Sequence, residues 1–295
     1  MIKGPNERQG EQMLEPEDLQ ALKRQVAALI AKVAGSEADD EASRILEAAL
    51  ARRPEDGKGL ALDWAHKRAT GTPLGLVIGR QRFLGIELLA KEDVLAPREE
   101  TEILGREVLA LLQALSQEDP NQELRMIDMG CGSGNLACAL AVAIPRLQVW
   151  ASDITASCAE LTRVNVVHHS LGERVRVSQG DLFAPLKDQG LEGTMDVVVM
   201  NPPYIPSTSL ETSHAGLLHH EPREAFDGGP YGISILTRLL QEAPPFLKDG
   251  GHLLFEFGLG QAKIIQSLVE RKNLYSEFRF ASDAQGEPRA AILKK

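Results

Sequence analysis

Apolar positions change their period along this chain, and each change marks a new kind of element. From Pro16, the residues Leu19, Leu22, Val26, Leu29, Ile30 and Val33 recur every three or four positions, opened by Glu17 and Asp18 and closed by Gly35. That is an amphipathic helix with acids at its positive end and a glycine stop. A second stripe carries Ile45, Leu46, Ala49 and Leu50, and a third Leu60, Trp64 and Ala65. Together they predict a small helical domain over residues 16–70. The polar residues 1–15 before it are expected to be a disordered tail. Between Gly71 and Pro97 the helical period disappears into a run rich in Gly and β-branched residues, with Phe83-Leu84-Gly85-Ile86 as a strand or hairpin. This predicts a structured connector, residues 71–97, holding a β-hairpin.

Helical spacing returns through Ile103, Leu104, Val108, Leu109 and Leu112, and polar QEDPNQE ends it. Short apolar runs then alternate with helices. Strands are predicted at 124–129, 147–152, 174–178, 196–200, 252–257, 278–281 and 290–293, with helices at 135–143, 156–168, 233–246 and 261–270. Such alternation means right-handed crossovers and a largely parallel sheet. The last two strands are joined by the short SDAQGEP turn, so they should pair antiparallel. The expectation is an α/β domain over residues 98–295.

Composition narrows the class. At 295 residues, 43% hydrophobic and 25% charged, the chain reads as an ordinary globular protein of more than one domain. No apolar run approaches a membrane span, and MIKGPNERQGEQ lacks the apolar core of a secretory signal, so a cytoplasmic location and no membrane contact are expected. A net charge of −10 argues against the broad basic surface that nucleic-acid binding needs. Cys131, Cys138 and Cys158 have no paired spacing and read as reduced thiols. The pairs His168-His169 and His219-His220 lack metal-ligand spacing, so no metal is expected.

Two turns carry candidate chemistry. Strand 124–129 runs straight into Met129-Gly130-Cys131-Gly132-Ser133-Gly134-Asn135 and an apolar helix. Glycines there let a ligand approach the backbone at a helix N-terminus. Asp128 could orient this loop or hold a cationic amino group. Asp153, ending the next strand, is spaced to accept from two ribose hydroxyls, and Gln179-Gly180-Asp181-Leu182 to meet an adenine ring. A dinucleotide site is the competing reading. The second turn is Asn201-Pro202-Pro203-Tyr204, which ends the apolar strand MDVVVM. Two prolines supply no N–H and stop the ladder, leaving one amide side chain, a free carbonyl and one ring at a strand end. The Asn201 side-chain oxygen and the Pro202 carbonyl could each accept one N–H of a planar NH₂ group, with Tyr204 packed on its face.

DMGCGSGN, the Asp153 strand end, GDLF and NPPY, in that order, resemble the class I S-adenosylmethionine-dependent methyltransferases that act on nitrogen. The resemblance implies a Rossmann-like seven-stranded methyltransferase sheet with its last strand antiparallel. It also implies that Gly130, Cys131, Gly132, Ser133 and Gly134 cradle the methionine part of the cofactor. Asp128 and Asn201 would be at the same site, Asp153 would hold the ribose, and Asp181 with Leu182 would flank the adenine. Two further stretches resemble the HemK/PrmC family, which methylates a glutamine in peptide chain release factors. One runs from Gly71, Pro73, Gly79, Phe83 and Gly85 to Val94-Leu95-Ala96-Pro97-Arg98-Glu99-Glu100-Thr101-Glu102; the other is Glu221-Pro222-Arg223 with Ala225-Phe226-Asp227-Gly228-Gly229. The tail from Gly250 through Glu256 and Gly258 to Gln261, with Gly286 and Arg289, also fits. Departures stand at Leu76, Ala96, Glu99, Leu182 and Tyr231.

The resemblance implies methyl transfer to a protein glutamine N5, with Asn201, Pro202 and Tyr204 catalytic and Asn201 to Tyr204 binding the substrate. A release factor would be the partner, the helical domain would recognise it, S-adenosyl-L-homocysteine would be the product, and the chain is expected to be a monomer. The alternatives are a ribosomal-protein glutamine methyltransferase, an adenine-N6 nucleic-acid methyltransferase, or a binding module without catalysis.

Overall fold

Two compact units of different construction make up this chain. The computed structural model describes residues 15–213, 218 and 221–295; the 1–14 stretch and the His219-His220 pair lie outside the described residues. The molecule divides into two compact units, Met1–Arg80 and Gln81–Lys295.

The first unit is helical: α1 (Pro16–Ala34), α2 (Ala38–Arg52), α3 (Gly57–Ala69) and the short α4 (Leu74–Ile78). Its core is the set of stripes in the sequence, with Val26, Ile30, Ile45, Ala49, Ala61 and Ala65 fully buried. Glu41 is buried among them and is paired with Arg68, Nε to Oε2 at 2.7 Å. Helix α4 falls where the sequence shows no helical period. It spans only five residues, LGLVI, all apolar or glycine, so no polar face exists to reveal a period. Pro73 precedes it, and Gly79 ends it in the left-handed region at φ 75°.

Strand β1 (Arg80–Phe83) starts on the last residue of the first unit, and with β2 (Ile86–Leu89) it opens the second. Leu84 and Gly85 both adopt positive φ, 45° and 83°, the two-residue turn that matches strand twist. Then follow α5 (Thr101–Glu118), β3 (Leu124–Met129), α6 (Asn135–Ala143), β4 (Leu147–Asp153), α7 (Ala156–His168), β5 (Val175–Gln179), β6 (Met195–Met200), α8 (Ser207–Glu211), α9 (Ser234–Glu242), β7 (Leu247–Glu256), α10 (Ala262–Lys272), β8 (Glu277–Ser282) and β9 (Pro288–Lys294). Strands β3 to β9 form one seven-stranded sheet in the order β5-β4-β3-β6-β7-β9-β8. Only β9 runs antiparallel to its neighbours β7 and β8.

Apolar runs encode the central strands β3, β4 and β6, which are covered on both faces, whereas the edge strands β5 (VRVSQ) and β8 (EFRFAS) alternate. Along β6, Val197 and Val199 enter the cluster that holds α5, α6 and the β1–β2 hairpin. Val198 and Met200 enter the opposite cluster, which holds α9 and α10. The chain leaves β3 toward β4 and β5 on one side, then returns to β6 and β7 on the other. The carboxyl ends of β3 and β6 therefore meet at the point where the strand order reverses, where open α/β sheets bind ligands.

Candidate active site

A cavity of about 360 Å³ opens at that reversal. Its walls come from both predicted turns. Gly130 and Gly132 follow β3, Asp153 ends β4, Asp181 and Leu182 follow β5, and Met200, Asn201 and Pro203 end β6. Cys131, Ser133 and Gly134 stand behind these walls. Cys131 is 1% exposed with Sγ 3.3 Å from Thr162 Oγ1, and burial pushes its thiol well above the ordinary range. That makes it a packing residue rather than a nucleophile.

The glycine loop is held from two directions. Gly130 N and Cys131 N both donate to Ser152 O, at 2.7 and 3.0 Å. Gly132 N donates to Asp153 Oδ2 at 2.9 Å, while Asp153 Oδ1 accepts from Thr155 N. Asp128 is 1% exposed and accepts from Ala137 N at 2.9 Å. It thereby ties β3 to the first turn of α6, where a carboxylate is favoured. Burial, then the neighbouring Asp153 charge, raise the Asp128 pKa from 3.8 to about 7 against the Ala137 hydrogen bond. Of the two roles read for Asp128, orienting the loop is the one its bonds serve.

Gly132 has φ 57°, and a Cβ added there would meet nothing within 4 Å. The space a side chain would fill belongs to the cavity. Asp181 is half exposed and ion-paired with Arg238 of α9 at 2.9 Å. Leu182 is buried at φ 44°, a backbone state that favours glycine, and turns toward the cavity wall.

At the second turn, Asn201 Nδ2 donates to Thr101 Oγ1 at 2.9 Å. This leaves the amide oxygen as the group available to accept. Pro202 is buried and Pro203 lines the cavity. Tyr204 lies off the cavity lining and is fixed on three sides. Its hydroxyl donates to Glu256 Oε1 at 3.2 Å, its carbonyl accepts from Gln261 Nε2 at 2.9 Å, and its ring lies against Gly258. Burial first, then Glu256, push the Tyr204 phenol upward, so it stays protonated and donates. The turn also pairs with the glycine-rich segment downstream, where Ile205 bridges Asp227. Asp227 accepts from Gly229 N at 3.0 Å and from Arg223 Nε at 2.8 Å. Pro222, Arg223, Glu224, Ala225 and Asp227 complete the cavity wall. Glu221 accepts from Ala96 N at 3.0 Å and pairs with Arg98, joining the two stretches flagged around Arg98 and Glu221.

Sequence reading did not single out Thr101, Glu256 or Gln261 for a role, nor Ile154 and Ile235 in the wall. Glu256 did carry a signal, being one carboxylate inside the apolar run LLFEF. Thr101 carried only its place in the stretch from Val94 to Glu102 that resembles the family. Among the described residues, no group of three His, Cys, Asp or Glu side chains could hold a metal ion, and no helix is long and apolar enough to cross a membrane.

Comparison with known proteins adds the following. The Methyltransferase small domain family matches residues 107–229. The release factor glutamine methyltransferase of Rhodopirellula baltica is 32% identical over 82% of this chain and 80% of its own length. That of Geobacter sulfurreducens is 34% identical over 75% of this chain and 72% of its own. Among solved structures, the hMettl16 catalytic domain in complex with a MAT2A 3'UTR hairpin has a TM-score of 0.54 at 15% identity, covering 78% of this chain and 81% of that one. At that identity the likeness is one of fold.

Proposed function

We propose, because this chain belongs to the family of release factor glutamine methyltransferases, that it transfers a methyl group from S-adenosyl-L-methionine to the side-chain nitrogen (N5) of a protein glutamine. The substrate is the glutamine of the GGQ sequence in peptide chain release factors. The observation that carries this is the fixed amide of Asn201, whose nitrogen is occupied by Thr101 beside a cavity formed by the glycine loop.

The residues present fit the cofactor. The cavity has the size of a small-molecule site. Its floor at Gly132 has no side chain, and Asp153 sits at the end of β4, where a ribose would need a carboxylate. Bound S-adenosylmethionine supplies a methyl group on a positively charged sulfur and leaves as S-adenosyl-L-homocysteine. The chain supplies the rest. Gly130 and Gly132 let the donor approach the backbone; Asp153 and Leu182 hold its nucleoside.

A glutamine amide is a poor nucleophile because its nitrogen lone pair is delocalised into the carbonyl. Asn201 Oδ1 and Pro202 O each accept one N–H of that NH₂ group. This fixes the nitrogen at the cavity and favours the pyramidal geometry of attack. Tyr204 lies off the cavity lining, so its part is to hold the turn in place through Glu256 and Gln261. Positioning of this kind supplies on the order of 7–11 kcal/mol in well-oriented systems. Once methylated, the nitrogen releases one of its two protons to water, which leaves a neutral amide, and no thiol or hydroxyl of the chain is needed as a nucleophile. The chain acts as a monomer in the cytoplasm, its helical unit recognises the release factor, and nucleic acid is not its substrate, as the net charge of −10 suggests.

Incubating the protein and labelled S-adenosylmethionine with a release factor, a ribosomal protein and DNA in separate reactions tests this reading. Mass mapping should find label on one release-factor glutamine. Label on the ribosomal protein or on DNA instead would overturn it.

A further inference from the structure

We infer that Asn165 is a positioning residue for the methyl donor. It ties the glycine loop to the β1–β2 hairpin and, with Thr162 beside it, holds the loop open to the cavity. The inference rests on the donor reading above. Both side chains are fully buried on α7, and neither belongs to the cavity wall. They act on the donor only through the loop.

Their spacing comes first. Thr162 and Asn165 on α7, with His169 just past its end, stand at i, i+3 and i+7 and share one helix face. In an apolar core that face would be another aliphatic stripe. Here it is polar, and buried polar groups cost stability unless they find partners. These find them on two sides. On the loop side, Thr162 Oγ1 donates to Gly132 O at 3.0 Å, and Asn165 Nδ2 donates to Ser133 O at 2.9 Å. On the hairpin side, Asn165 Nδ2 also donates to Leu89 O at 3.0 Å, while its Oδ1 accepts from Leu89 N at 2.8 Å. His169 Nε2 completes the row by donating to Glu87 O at 2.8 Å.

Strand β2 belongs to a two-stranded sheet. The Asn165 amide pairs with Leu89 at its edge as the backbone of a further strand would. Both ends of that amide are therefore fixed, and it cannot turn without breaking the pair. The hairpin is the anchor, and the loop is what it holds.

The loop needs holding. Gly132 at φ 57° and Gly134 at φ 79° bracket Ser133, so the peptides between them can rotate at little steric cost. What selects one orientation is the pair of carbonyls drawn toward α7. With those carbonyls turned away, Gly132 lines the cavity, and an added Cβ there would meet nothing within 4 Å. Without Thr162 and Asn165, the carbonyls of Gly132 and Ser133 would be buried with no donor. The loop would then populate states that turn them toward solvent in the cavity. A site competent for only a fraction of the time binds its ligand weaker by that fraction.

Calorimetric titration with S-adenosyl-L-homocysteine tests this on wild type, Asn165→Leu, Thr162→Val and Thr162→Ser, each well below its own melting temperature. Orphaning one buried carbonyl is equivalent to about tenfold in an equilibrium, so Asn165→Leu and Thr162→Val should each raise the dissociation constant about tenfold. Thr162→Ser keeps the hydroxyl and should stay near wild type. On whichever acceptor wild type labels, the KM for S-adenosylmethionine should rise in step, while kcat at saturating donor stays within about threefold. The hairpin link has its own readout. Leu89 lies outside the cavity wall, so S-adenosyl-L-homocysteine should slow exchange of its amide in wild type and not in Asn165→Leu. Lower melting temperatures with wild-type donor affinity in both Asn165→Leu and Thr162→Val would mean plain packing and overturn the inference. A Leu89 amide indifferent to S-adenosyl-L-homocysteine in wild type overturns it too. If Asn165→Leu fails to fold, Thr162→Val and the wild-type Leu89 amide decide. Wild type without affinity for S-adenosyl-L-homocysteine would overturn the donor reading itself, and the inference with it.

Discussion

Asn201 commits its amide nitrogen to Thr101 and keeps its oxygen for an incoming group, so removing the side chain should separate chemistry from donor binding. Asn201→Ala is expected to lower kcat by about 10²–10³, the usual loss for one preorganised polar contact at a reacting group. The dissociation constant for S-adenosyl-L-homocysteine, read by calorimetry, should change only a few-fold. An equally large loss of donor affinity would mean that Asn201 serves the cofactor rather than the acceptor. Asp128 allows a different measurement. Its folded pKa is raised from 3.8 to about 7, chiefly by burial. Between those values the folded protein keeps a proton that the unfolded chain has released, so this group's contribution is full below pH 3.8 and is lost as pH rises through 7. Asp128→Asn keeps an oxygen for Ala137 N and cannot titrate. Its melting temperature relative to wild type should therefore climb between pH 5 and pH 8, and a constant difference would refute the assignment. These residues were legible in the sequence because their chemistry is local: Gly130 to Gly134 and Asn201 to Tyr204 are consecutive. The pairing of Thr101 with Asn201 was not legible, since the two lie 100 positions apart and only folding brings them together.

Elements with a clear period were found close to their true limits, and those without one were missed for physical reasons. Helices α6 and α7 are bounded as their apolar spacing indicates. Strand β7 begins at Leu247, five residues before its apolar run, because Lys248, Asp249 and the glycines after them disguise its first half. Helix α8 and the turns around Gly229 and Gly232 follow loop contacts rather than a pattern. Those turns can be tested. Gly232 has φ 68°, and an added Cβ would lie 2.1 Å from Tyr204 O and 2.8 Å from Gln261 Nε2. Gly286 has φ 85° but opens on empty space. Both alanine variants should lose about 1–2 kcal/mol to left-handed backbone strain. Gly232→Ala should lose a further ~1–3 kcal/mol to overpacking and should also slow transfer, because the backbone it displaces carries Tyr204. Urea unfolding and turnover of the two variants check this. Equal losses in both would show that the contact with Tyr204 is dispensable.

At the scale of the whole molecule, the two units can be tested for separate tasks. The helical core lies wholly between Leu22 and Ile78, and the sheet unit carries every residue of the cavity wall. Exposed apolar side chains such as Leu19 and Val33 lie on α1, far in sequence from the Asn201 turn. If the helical unit recognises the release factor while the sheet unit does the chemistry, the two ligands should leave separate footprints in hydrogen exchange. A ligand slows exchange where it suppresses local opening, and the gain scales with its concentration over its dissociation constant. S-adenosyl-L-homocysteine should therefore protect the amides of Gly130, Gly132, Thr155 and Leu182 and leave those of α1 to α3 as they were. Addition of a release factor should slow exchange in α1 to α3 together with the segment around Asp227. Protection by the release factor confined to Gln81–Lys295 would remove recognition from the helical unit and assign it to the walls of the cavity alone.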